Sequence, residues 1–321
     1  MNVSGGSEIR RQESPARFLS LISTAEMTLS HLCSAGDEDA RALFRALGLN
    51  EDEIPDSPAT ILSPEQRLTR TAFLETRRCV TDALAELTEA SLYADLPCGL
   101  SPRALRWARK ERNYLGLDLP PVVEAIRSAT LPLLEEKKRP FVRFAAADAT
   151  DPDALVRAVG IDGGEVCVMT EGLLVYFSQQ ETRLLCEGIR RLLVQRGGCW
   201  ITADPEMHLQ IFLTLRAVCG ESLSRVLQGG FPRKPVRGGK SLPKRPADES
   251  PLQIKPGPDV PARIEQAMDF LNGCGLQAER IPMACLTEAP VFPKILTPVQ
   301  RDAMNDALEK VSIWVVTLRD S

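Results

Sequence analysis

An open α/β fold, a mostly parallel seven-stranded sheet flanked by helices, is predicted for this chain by three observations. From about residue 89 onward, short apolar runs alternate with helical segments. Four acids, Asp95, Asp118, Asp148 and Glu171, close the first four runs at intervals of about one strand-plus-helix unit. Capping residues, Gly and Pro punctuate the junctions. In sheets built from such units the ligand sits in the crevice outside the carboxyl ends of the strands, so these acids are expected to converge there.

Taken in order, Ala90–Leu96 reads as the first strand, followed by Ser101 as an N-cap and Pro102 at the first helical position before Ala104, Leu105 and Trp107. Tyr114–Asp118 is the second strand. Pro120 and Pro121 open the next helix, and Phe141–Ala147 is the third strand. Thr150-Asp151-Pro152-Asp153 starts a helix that Gly160 stops, and Glu165–Met169 is short, β-branched and apolar enough for a fourth, buried strand. Ser178-Gln179-Gln180-Glu181 is a capping box ahead of Leu184, Leu185, Ile189, Leu192 and Leu193, with Gly197-Gly198 ending that helix before a fifth strand at Cys199–Ala203. A helix through Ile264, Ala267, Met268 and Leu271, stopped by Gly273, precedes the sixth strand, Leu276–Pro282. Thr297-Pro298 starts the last helix and Ser312–Leu318 is the seventh strand.

Around this sheet the chain divides into a polar tail over 1–15, expected to be disordered, an N-terminal helical lid over 16–88, and the α/β domain over 89–321. The rhythm breaks between 205 and 262, which reads as an insertion capping the substrate side. It carries an apolar helix through Ile211, Phe212, Leu213 and Leu215, then a stretch over 229–258 dense in Gly, Pro, Lys and Arg.

With 321 residues, 44% of them hydrophobic, the chain can bury one large core with an appended cap. A net charge of −4 argues against nucleic-acid binding, and the basic stretch from Arg233 to Arg245 lacks interleaved aromatics on which bases could stack. The first residues hold no apolar stretch of the kind a signal peptide or membrane span needs, so a soluble cytoplasmic protein is expected. Nine scattered cysteines without a CxxC pair read as reduced packing thiols, and two histidines, His31 and His208, are too few and too far apart for a metal centre.

The loop Asp95-Leu96-Pro97-Cys98-Gly99-Leu100-Ser101-Pro102-Arg103 limits the ligand. A pyrophosphate cradle needs several glycines so that backbone N–H groups approach closely, whereas here only Gly99 lacks a Cβ and Pro97 has no N–H to give. This disfavours a nicotinamide dinucleotide and asks less of a ligand with one ribose and no phosphate. Asp118 ends the second strand, where a carboxylate can accept both hydroxyls of a ribose, and Asp148 can accept from an adenine amine or serve as a helix-entry acid. Glu171, set between Val168-Met169 and Leu173–Phe177, must be paired to be tolerated among apolar neighbours.

The segment Met169-Thr170-Glu171-Gly172-Leu173-Leu174-Val175-Tyr176-Phe177, with Gly116-Leu117-Asp118-Leu119-Pro120 and Ala146-Ala147-Asp148-Ala149-Thr150, resembles the leucine carboxyl methyltransferase family of class I S-adenosylmethionine-dependent methyltransferases. The resemblance spans about Arg67 to Pro205. It implies a Rossmann-like class I fold with S-adenosylmethionine as cofactor. It further implies that Arg70 pairs with the methionine carboxylate, Gly99 lies beneath the cofactor, Asp118 binds the ribose, Asp148 and Ala149 border the adenine, and Glu171 faces the methionine end. Pro97 and Cys98 depart from the family's Gly-rich turn.

The reaction so implied is O-methylation of a carboxylate, on a small metabolite such as a polyketide-like acid or on a protein C-terminus. Such a nucleophile is already ionised at neutral pH and needs chiefly to be held in line. A hydroxyl acceptor would profit from a base, for which His208 is the candidate, and Tyr176 is the candidate for shaping the acceptor pocket. A cofactor-binding protein without turnover is the alternative that Pro97 motivates.

Overall fold

The computed structural model describes residues 15–61, 63–220, 248–286 and 295–319, with side chains from residue 22 onward. Seven strands form one sheet: β1 (Leu92–Asp95), β2 (Tyr114–Asp118), β3 (Val142–Ala146), β4 (Val166–Thr170), β5 (Gly198–Thr202), β6 (Leu276–Pro282) and β7 (Ser312–Leu318). Their order is β3-β2-β1-β4-β5-β7-β6. The first five run parallel, and β7 lies antiparallel between β5 and β6. This is the Rossmann-like class I methyltransferase fold. Its strand order reverses between β1 and β4, the switch point at which an open sheet offers its crevice.

The strands that flank the switch point are buried along their whole length, which explains why they read as unbroken apolar runs rather than as alternating ones. One face carries Tyr93 packed on Trp107 at 4.0 Å between ring centroids, and the other carries Trp200 and Trp314, both fully buried. Gly198 starts β5 because a Cβ there would lie 2.1 Å from the Val166 carbonyl oxygen, so only glycine lets the two strands approach.

Helix boundaries follow local chemistry, from α4 (Arg103–Arg109) and α5 (Pro120–Thr130) onward. Asp151 caps α6 (Pro152–Val159) by accepting from the Ala154 N–H, and Gly160 ends it at φ +83°. Ser178 and Glu181 close a reciprocal capping box on α7 (Gln179–Arg196), and Thr297 and Gln300 do the same at the last helix, Pro298–Leu308. Two boundaries differ from the sequence expectation. The helix after β1 begins at Arg103 rather than Pro102, because the Ser101 hydroxyl accepts from the Arg103 N–H and closes a tight turn first. Gly273 lies inside the helix Val260–Gly273, and the chain turns instead at Gly275, at φ +75°.

Among the described residues three α-helices precede the sheet: α1 (Pro15–Ser34), α2 (Glu38–Ala46) and α3 (Pro64–Leu87). Buried His31 joins the first to the third. Its Nε2 donates to the Asp56 carbonyl at 2.8 Å and its Nδ1 accepts from the Thr71 hydroxyl at 2.9 Å, and burial pushes its pKa down to about 3, so the ring is neutral. Past β5, the helix α8 (Met207–Cys219) packs between α3 and the helix Pro298–Leu308. The basic stretch 233–245 lies outside the described residues, as does the tail 1–15 except for Pro15. Beyond it the chain returns to the core through Leu252 and Ile254, with the Gln253 amide donating to the Leu174 carbonyl at 2.8 Å. Among the described residues no helix is long and apolar enough to cross a membrane.

Glu206 fixes the antiparallel end of the sheet. Fully buried, it accepts from Arg280 Nε at 2.7 Å, the Ser312 N–H at 2.9 Å and Trp314 Nε1 at 2.8 Å, which joins β5 to β6 and β7. Replacing it by Ala leaves a guanidinium and two N–H donors without their acceptor. Glu206→Ala is expected to cost about 3–5 kcal/mol in urea unfolding, with an unchanged slope if the unfolding stays two-state.

Candidate functional site

The carboxyl ends of β1, β2 and β4, covered by α1, α3 and α8, enclose a cavity of about 510 Å³, within the range of small-molecule sites. Seven of the residues singled out from the sequence line it: Arg70, Gly99, Asp118, Asp148, Ala149, Glu171 and Tyr176. His208, on the first turn of α8, is not among the lining residues. They come together because each stands at or just past the end of a parallel strand, or on the lid helix above.

Asp118 is the last residue of β2 and nearly buried. Its Oδ2 accepts from the Gly99 N–H at 2.8 Å and its Oδ1 from the Leu119 N–H at 2.7 Å, so the carboxylate is aimed by two backbone donors from two different loops. Burial pushes its pKa from 3.8 up to about 6, against the pull of those two bonds. Gly99 adopts φ +50°, which a side chain would strain, and a Cβ there would touch Ala25 of the lid at 3.5 Å. Pro97 follows a cis peptide bond, and the next two N–H groups are spent inside the protein, Cys98 on the Leu117 carbonyl at 2.9 Å and Gly99 on Asp118. Asp148 is exposed on the rim, its Oδ1 held by the N–H and hydroxyl of Thr150 at 2.8 and 2.7 Å.

At the other end of the cavity Glu171 is paired, as its apolar setting demanded. It accepts from Arg77 Nε at 3.1 Å and from Arg103 Nη2. Burial works against its ionisation, but the Arg103 and Arg77 cations outweigh it and hold the carboxyl below its ordinary value. Arg103 is only 3% exposed and spends its fork on three acids: Asp82 of α3 through Nε at 2.5 Å, Asp95 of β1 through Nη1 at 2.7 Å, and Glu171. Asp95 also accepts from the Tyr114 hydroxyl at 2.8 Å, and burial, opposed by Arg103, raises its pKa to about 6.

The loop that carries Glu171 is shaped from below by Asp204, fully buried beyond the end of β5. Its carboxylate accepts from the N–H groups of Gly172, Leu173 and Leu174 at 2.5, 2.8 and 3.0 Å. It is thus a fifth acid at a strand edge, with a supporting task. Arg70 pairs with buried Asp56 at 3.3 Å and is one-third exposed toward the cavity, while the Tyr176 hydroxyl reaches Thr24 of α1 at 3.5 Å.

Sequence reasoning gave no role to Arg77, Arg103 or Asp204. For Arg77 a signal existed: Gln66, Arg70, Phe73 and Arg77 recur at helical spacing on α3 and all four line the cavity. Arg103 sits in the loop already singled out, but its three partners come from segments distant in sequence.

No family profile and no curated protein matches the chain in sequence. Among solved structures, a candidate methyltransferase from Thermobifida fusca aligns at 15% identity and TM-score 0.44, over 92% of this chain and 94% of its own. Human N-acetylserotonin methyltransferase, solved with S-adenosylmethionine, aligns at 12% identity and TM-score 0.40, over 92% and 67%. The glycopeptide N-methyltransferase MtfA, also solved with S-adenosylmethionine, aligns at 14% and 0.40, over 75% and 87%. The fold assignment stands on strand order and direction rather than on these likenesses.

Asp204→Ala strips three backbone N–H groups of their acceptor, at about 1–3 kcal/mol for each of the buried ones, Leu173 and Leu174. Hydrogen exchange at Gly172, Leu173 and Leu174 is expected to accelerate by at least tenfold in this variant while the protection of β1 is kept; equal acceleration in both would show global rather than local loosening.

Proposed function

We propose that the chain is an S-adenosylmethionine-dependent O-methyltransferase that esterifies a carboxylate, on a small metabolite such as a polyketide-like acid or on a peptide C-terminus. The observation that carries the reading is the convergence of Gly99, Asp118, Asp148, Ala149, Glu171 and Arg70 on one cavity beneath a helical lid. The resemblance to the leucine carboxyl methyltransferase family supports the same assignment of roles.

The residues present fit the cofactor. Asp118, already oriented by two backbone donors, retains lone pairs for the two ribose hydroxyls, and Gly99 offers a surface without a side chain beneath a nucleoside. Asp148 and Ala149 would border the adenine, while Glu171 and Arg70 would receive the methionine end. Charge agrees. The connected ion-pair network of Asp37, Glu75, Asp82, Asp95 and Glu171 with Arg77, Arg78, Arg103 and Arg106 has one acid more than it has guanidinium groups, which suits a ligand of net positive charge. Bound there, the cofactor would supply a methyl activated by its positively charged sulfur, and transfer to an ionised carboxylate would require no proton to be moved by the protein.

The chain's own task is then to hold an ionised nucleophile in line and keep water out. Among the described lining residues there is no histidine. This favours an acceptor that arrives already deprotonated over a hydroxyl that would call on His208 as base.

Calorimetry with S-adenosylmethionine tests the reading. Micromolar binding is expected, weakened at least tenfold, or about 1.4 kcal/mol, in Asp118→Ala. Intact folded protein that evolves no heat would sink it.

The pH profile follows from Asp118. Because burial raises its pKa to about 6, the folded state binds the extra proton between pH 3.8 and 6, so this group's contribution to stability falls as pH rises through that window. Ribose hydroxyls donate to the ionised form, so cofactor affinity is expected to be level above pH 7 and to drop about tenfold by pH 5. Asp118→Asn should flatten that slope; a wild-type profile without a slope would remove the carboxylate from the ribose site.

A further inference from the structure

Apart from the apolar cores on the two faces of the sheet, the described residues hold a smaller apolar cluster: Phe73, Leu74, Val175 and Met207, with Tyr176 packed against it. All five line the cavity, so this cluster is the wall of a binding site rather than the inside of a core. Lying over it is Arg77, whose guanidinium carbon is 5.1 Å from the centroid of the Phe73 ring.

The hydrogen bonding of this arginine sets it apart from its neighbours. Arg103 and Arg78 are each engaged by several carboxylates. Arg77, 7% exposed, gives Nε to Glu171 at 3.1 Å, but its Nη1 faces the thioether sulfur of Met207 at 3.2 Å, a weak acceptor. Its Nη2 has no protein acceptor among the described residues and lies against Gly172, where a built Cβ would come within 3.6 Å of it. A buried guanidinium with two donors so poorly met is set up to receive an oxyanion, and its planar fork matches a carboxylate.

We infer that Arg77 anchors the acceptor carboxylate, and that the acceptor is an amphipathic carboxylic acid whose apolar body lies on Phe73, Val175 and Met207. The inference rests on the carboxylate-methylation reading and adds to it the residue that selects the acceptor and the character of the acceptor's body. Arg77 touches both the apolar wall and Glu171 at the cofactor's methionine end, so an anion held by its Nη groups lies at the boundary between the two halves of the cavity. Arg70 is already assigned to the methionine end in that reading, and the carboxylate that Arg77 touches, Glu171, is shared with Arg103.

The test is calorimetry on the full chain saturated with S-adenosylhomocysteine, using octanoate, octan-1-ol and acetate as probes. Octanoate is expected to bind at least tenfold more tightly than either of the others, since the alcohol lacks the charge and acetate the apolar body. In Arg77→Met the preference of octanoate over octanol should disappear, and in Arg77→Lys, which keeps the charge without the fork, it should survive in part. Titration of S-adenosylhomocysteine into each variant reports whether the cofactor site is still formed. If the wild-type chain does not bind S-adenosylhomocysteine, the methyltransferase reading fails and this inference falls with it. If it binds, but octanoate is no tighter than octanol, or its preference persists in Arg77→Met, the acceptor assignment alone is overturned.

Discussion

The site depends on one buried cation. Arg103 draws together Asp82 of the lid helix, Asp95 at the end of β1 and Glu171 after β4. Taking such charges out of water costs several kcal/mol apiece, and the cost is met only if every partner is in place with good geometry. Burial disfavours the Arg103 cation, yet its three acids raise its pKa well above the ordinary arginine value, so the charge is permanent. The same contacts that satisfy it also fix the distance between lid and sheet. A cavity roofed by three helices and floored by strand ends keeps its shape because the guanidinium spans both.

Around that centre the acids at the strand edges divide their labour according to environment. Asp118 is oriented by backbone N–H groups and keeps acceptor capacity on its cavity side. Asp95 is consumed by Arg103 and Tyr114, and Asp204 by three backbone donors of the Glu171 loop. Acids at or just past the carboxyl ends of parallel strands thus yield one group with acceptor capacity to spare and two supports. The distinction is one of exposure: Asp118 and Asp95 each accept one bond per oxygen, but Asp118 is 9% exposed whereas Asp95 and Asp204 are sealed at 1% and 0%, so only Asp118 can turn remaining lone pairs outward.

The cavity also changes character along its length, from carboxylates and backbone at the strand ends to Phe73, Val175 and Met207 beneath the lid. Arg77 stands at the change. Its aliphatic stem and flat guanidinium can pack on an aromatic ring while its edge stays available for hydrogen bonding, a combination lysine cannot reproduce.

Much of this was legible in the chain itself. Apolar runs closed by acids, a capping box at Ser178, an Asp151-Pro152 start and the Gly197-Gly198 pair are local signals. They located all seven strands and most helix ends, because hydrogen-bond satisfaction at an element's end involves residues only a few positions apart. The need for Glu171 to be paired was also readable, though its partners were not. What only the tertiary structure decided is which charges meet: Arg103 with Asp82, Arg77 with Glu171, and Asp204 with the Gly172 loop, contacts between segments that sequence spacing cannot rank. The physical reason is that strand and helix formation is set by near neighbours and periodicity. The pairing of buried charges is set by where the folded sheet and lid leave them, in a medium where an unpartnered one is too costly to keep.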